Sequence, residues 1–81
     1  MYGFSMSEHE VNRLVSMANE IAANIAPGKD PEAAELAVMA HLNKFWPPSL
    51  REKIVQNFEE RIDGLHPIAA GAVRRLAVRR K

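Results

Sequence analysis

Two prolines in succession, Pro47 and Pro48, directly behind the aromatic pair Phe45-Trp46, set the strongest constraint on what this chain can fold into. The run leading up to them from His41 is amphipathic, and proline has no backbone N–H with which to continue a helix. Ser49 with Glu52 has the spacing of a capping box, which predicts that a new helix starts behind Ser49. The chain therefore turns a hard corner at its only Trp. Similar punctuation recurs elsewhere. Pro27-Gly28 stops one segment, Asp30-Pro31 starts another with an N-cap and a proline at N1, Gly64 ends a third, and Leu65-His66-Pro67 opens the last.

Between these marks the apolar residues fall at helical spacing. Behind a Ser7/Glu10 capping box come Val11, Leu14, Val15, Ala18, Ile21, Ala22 and Ile25. The second segment offers Leu36, Met39, Ala40 and Leu42 as its stripe, and the third Leu50, Ile54, Phe58 and Ile62 at a four-residue period. The last places Ile68, Ala69, Ala72, Val73, Leu76 and Ala77 inward and mostly arginine outward. The expectation is an all-α, compact four-helix domain with short connections. Its helices run about 7–26, 31–45, 50–62 and 67–79, within a single domain over 7–81 that follows a flexible N-terminus at 1–6. Composition agrees, because 47% of the residues are hydrophobic and only 6% aromatic, so the apolar mass is Ala, Ile, Leu, Val and Met, the material of helix cores. A core of this size supplies only about 3–5 kcal/mol, which leaves room for a second chain to contribute.

The chemistry of an independent enzyme is hard to assemble from these residues. There is no cysteine, hence no disulfide, thiolate zinc site or cysteine nucleophile. His9-Glu10 begins like the zinc-protease motif, but Arg13 stands where the second histidine is required. The glycines at 3, 28, 64 and 71 form no phosphate-cradling loop. His41 and His66 read as packed or capping side chains, and Glu32, Glu35, Glu59 and Glu60 as solvated helix faces. No segment approaches the roughly 20 apolar residues of a membrane span, and the first residues lack the pattern of a signal peptide, so the reading is a soluble cytoplasmic protein. The net charge of +1 conceals an acidic body and a basic end, for Arg74, Arg75, Arg79, Arg80 and Lys81 outweigh a balance of −4 in residues 1–73. No aromatic side chain interleaves with these cations, which argues against nucleic acid as the partner.

Three segments, taken in order, resemble the delta subunit of soluble NAD-dependent formate dehydrogenases. The first holds Met17-Ala18-Asn19-Glu20-Ile21. The second holds His41-Leu42 and then Phe45-Trp46, Pro48 and Arg51, and the third Gly64-Leu65-His66-Pro67. Leu50 stands where that family usually has Met, Pro47 where it has an acidic residue after the Trp, and His66 where it has an acidic residue before the Pro. The resemblance implies a small accessory subunit with no cofactor of its own. Larger chains would hold the bis-pterin molybdenum or tungsten cofactor, the iron–sulfur clusters, FMN and the NAD site.

On that footing the expected partner is the catalytic alpha subunit, stabilised by this chain or assisted in molybdenum-cofactor insertion. Phe45 and Trp46 are expected as aromatic anchors at the corner, presented by a proline-stiffened loop that includes Pro48, the alternative being that the two rings pack into this domain's own core. Arg51 is the expected forked hydrogen-bond donor and Asn19 a second contact. The alternative from another class is a free-standing helical module that self-associates through surplus apolar surface and has no connection to redox chemistry.

Overall fold

The computed structural model describes residues 8–60 and 64–79, with side chains over 10–58 and 64–78. Four helices follow in order, α1 (Glu8–Ile25), α2 (Pro31–Phe45), α3 (Pro48–Glu60) and α4 (Pro67–Arg79), and the described residues contain no strand. The all-α expectation holds, and α1, α2 and α4 start and end within one residue of the expected bounds, whereas α3 starts two residues early. The expectations for residues 1–6, the Ser7 cap and the end of α3 near Ile62 fall outside the described residues.

Three helices open on a proline at N1, namely Pro31, Pro48 and Pro67. Its fixed φ suits the first helical position, and its missing N–H is one that a helix start leaves unpaired anyway. In each case the preceding residue's carbonyl accepts the first helical bond: Asp30 from Ala34 at 2.9 Å, Pro47 from Arg51 at 3.2 Å and His66 from Ala70 at 2.8 Å. Asp30 adds a side-chain cap on the N–H of Ala33 at 3.2 Å, and His66 Nδ1 accepts from the N–H of Ile68 at 3.1 Å. These facts correct the predicted start of α3. Because Pro48 already sits at N1, Ser49 lies inside the helix and is not its N-cap. At the other ends, Gly28 and Gly64 take φ of +83° and +87°, the left-handed turn that follows a helix and that side chains with a Cβ resist.

The core joins Leu14, Ala18 and Ala22 of α1, Val38, Met39 and Leu42 of α2, Ile54 and Val55 of α3, and Ala69, Ala72, Val73 and Leu76 of α4. Helix α4 packs most broadly on α2 and next on α3, while α1 closes the opposite side. Small residues at the contacts let the backbones approach. At Gly71 a Cβ would fall on the side chain of Glu35, which lies across α4 and accepts from Arg75 Nε at 3.1 Å. The predicted stripe of α2 was rotated: Ala34 and Val38 are buried, whereas Leu36 and Ala40 are exposed. Nearly every side of α2 carries apolar or small residues, so its sequence does not fix which face turns inward.

Candidate functional site

The corner between α2 and α3 separates the two aromatic residues. Phe45 is the last residue of α2 and remains 62% exposed, whereas Trp46 is 6% exposed and joins the core. Backbone geometry makes the difference. Trp46 is the C-cap, extended at φ −90° and ψ 136°, and its N–H still donates to the Leu42 carbonyl at 3.0 Å. Leaving the helix at this residue sends consecutive side chains to different sides. Trp46 was expected either to anchor a partner or to seal the core; the structure gives it to the domain interior, where a large ring closes the end of a small core.

Arg51 explains why the corner keeps its shape. Its Nη1 donates to the carbonyls of Asn43 at 2.8 Å and Trp46 at 2.9 Å, two acceptors that the end of α2 leaves open. Arg51, expected as a forked donor to a partner, thus uses one nitrogen of its guanidinium, Nη1, to close the end of α2. Pro47 and Pro48 are exposed beside it. Around Phe45 the surface is built up by His41, whose ring centroid lies 4.6 Å away at a 42° tilt, and by Lys44, whose Nζ is 5.5 Å from the ring centre. Phe45 is therefore an exposed aromatic with an imidazole and an ammonium close to its ring, on a pinned corner.

Asn19 performs a similar task at the turn between α3 and α4. Its Nδ2 donates to the Gly64 carbonyl at 2.7 Å and its Oδ1 accepts from the His66 N–H at 2.7 Å. Both ends of the amide are used, so Asn19 is a clamp on the chain's own turn. The structure thereby brings together the first and third of the segments singled out in the sequence. Of the five expected contact residues, Phe45 and Pro48 face solvent, Trp46 is buried, and Arg51 and Asn19 hold turns. The signal for Asn19 was its place beside Ala18 and Ala22, at the margin of an apolar stripe where a polar group needs an internal partner.

Two hollows lie on the surface of the described residues. A crevice between α1 and α3, lined by Val11, Leu14, Ile54 and Phe58 among others, measures about 10 Å³, room for one water at most. An open groove between α2 and α4 is larger, about 380 Å³, and is lined by Leu36, Met39, Arg74, Arg75 and Val78. Among the described residues no three His, Asp or Glu side chains gather as a metal-ligand set, and no helix is long and apolar enough to cross a membrane.

The family profile of the NADH-dependent formate dehydrogenase delta subunit FdsD matches residues 13–73. No curated protein and no solved structure matches the chain. The profile match spans from α1 into α4 and takes in Asn19, Phe45, Trp46, Arg51, Gly64 and His66, the residues that shape both turns. With most of its length matched, the chain belongs to the family of NADH-dependent formate dehydrogenase delta subunits.

Proposed function

We propose that the protein is a non-catalytic accessory subunit that docks, through the α2–α3 corner, on the catalytic alpha subunit of a cytoplasmic NAD-dependent formate dehydrogenase. By docking it stabilises that subunit or assists insertion of the molybdenum or tungsten cofactor. The observation that carries the reading is the exposure of Phe45, 62%, on a corner whose backbone is fixed by Arg51 and two prolines. Burying a Phe side chain contributes about 1.5–3 kcal/mol, and a pre-shaped corner loses little entropy on binding. The pterin, iron–sulfur, flavin and nicotinamide chemistry belongs to the larger chains in this reading. The residues of this one offer neither thiolates nor a gathered ligand set among those described.

The test is co-expression of the dehydrogenase subunits with and without this chain. The metal content of the purified alpha subunit and formate oxidation per enzyme should both fall when the chain is omitted. An enzyme equally loaded, stable and active without it would contradict the proposal.

A further inference from the structure

A fixed backbone at the α2–α3 corner does not by itself fix the ring that the corner presents. Phe45 is exposed at the last position of its helix, where an aromatic side chain has rotamers to choose from. Long side chains on a helix lean back toward its N-terminus and lie over the preceding turn. Phe45 does so, and what it meets there is His41, one turn earlier on α2, with ring centroids 4.6 Å apart. Beyond Phe45 the helix ends. Trp46 is extended and its side chain joins the core, so α2 offers no residue one turn further on to hold the ring from that side.

The two rings differ in their freedom. His41 is partly buried, whereas Phe45 stands mostly in solvent, so the imidazole is the better ordered wall and Phe45 the part that leans on it. Lys44 brings its Nζ to 5.5 Å from the Phe45 ring centre, but on a flexible four-carbon stem that orders a neighbour weakly. A tilted contact between two aromatic rings depends on ring area and quadrupole. It requires a ring at position 41, not the charge or the hydrogen-bonding nitrogens of an imidazole.

We propose that His41 is a positioning residue for docking: it holds Phe45 in one rotamer before the partner arrives. The proposal rests on the reading that Phe45 docks on the dehydrogenase. A side chain ordered in advance loses less entropy on binding, and for one side chain the gain is about two- to tenfold in affinity.

The experiment co-expresses wild-type and variant full-length chains in pairs with the dehydrogenase subunits and reads their ratio in the purified complex by mass spectrometry. In parallel, scalar couplings in the isolated full chain report the χ1 populations of Phe45. Alanine is the best helix former, so His41→Ala should keep α2 and its circular dichroism. In His41→Ala, Phe45 should average over rotamers and incorporation should fall about two- to tenfold below the wild type. His41→Phe returns a ring to the position and should restore both a single Phe45 rotamer and near-equal incorporation. A single Phe45 rotamer in His41→Ala, or incorporation of that variant at parity, would overturn the positioning role. So would depletion of His41→Phe with Phe45 still ordered, because the imidazole nitrogens would then be meeting the partner themselves. Each of these results leaves the docking reading intact, which Phe45→Ala tests in the same competition: its incorporation at parity would remove both.

Discussion

At the α2–α3 corner Arg51 holds two carbonyls that lie five and eight residues before it, whereas at the α3–α4 turn Asn19 holds a carbonyl and an N–H that lie 45 and 47 residues ahead. One side chain with two hydrogen bonds serves each turn, but the distances along the chain differ greatly. Closing a short loop costs little entropy, so the corner can set itself from its neighbours. The other turn acquires its clamp only when α1 has packed against it. The corner is thus a self-contained platform for Phe45, while the turn ties both ends of the domain together.

The comparison can be broken in graded steps. Trp46→Ala removes the ring that anchors the corner to the core and should cost about 3–5 kcal/mol, as much as the stability of a domain this small, leaving the isolated chain largely unfolded in circular dichroism. Asn19→Ala gives the exposed Gly64 carbonyl to water and deprives the part-buried His66 N–H of its partner, and should cost about 2 kcal/mol in urea unfolding, with hydrogen exchange quickened throughout α1 and α4. Arg51→Ala should cost about 1 kcal/mol, with faster exchange confined to residues around 43–51. If Arg51→Ala loosened α1 and α4 as widely as Asn19→Ala, the distinction between a local and a long-range clamp would be lost. His66→Asp tests the smallest effect. A carboxylate caps a helix start better than an imidazole, so this change should add about 0.5 kcal/mol and raise the melting temperature.

How much of this was legible in the sequence depended on which signals competed. Helices α1 and α4 have one clearly apolar side each, and both their extent and their buried faces followed from spacing. The start of α3 carried two cues, a capping-box spacing at Ser49 and a proline at Pro48, and the steric preference of proline for N1 prevailed. Helix α2 is apolar or small-sided nearly all round, so periodicity could not choose between Leu36 and Val38; only packing against α1 and α4 decided. The same limit applied to Phe45-Trp46. A sequence shows two adjacent aromatics at a helix end, but the dihedral angles of the cap determine which one turns inward. Arg51 and Asn19 were legible as important polar residues. Their acceptors, being backbone atoms, leave no mark in the sequence.

The central claim is that Phe45 meets the partner while Trp46 holds the domain together, and the most direct measurement is the subunit ratio in complexes purified with Phe45→Ala. Phe45 is exposed, so the variant should melt within about 0.5 kcal/mol of the wild type and keep the fluorescence of its buried single tryptophan. It should nevertheless be largely lost from the purified dehydrogenase. A folded Phe45→Ala chain present at the wild-type ratio would contradict the account.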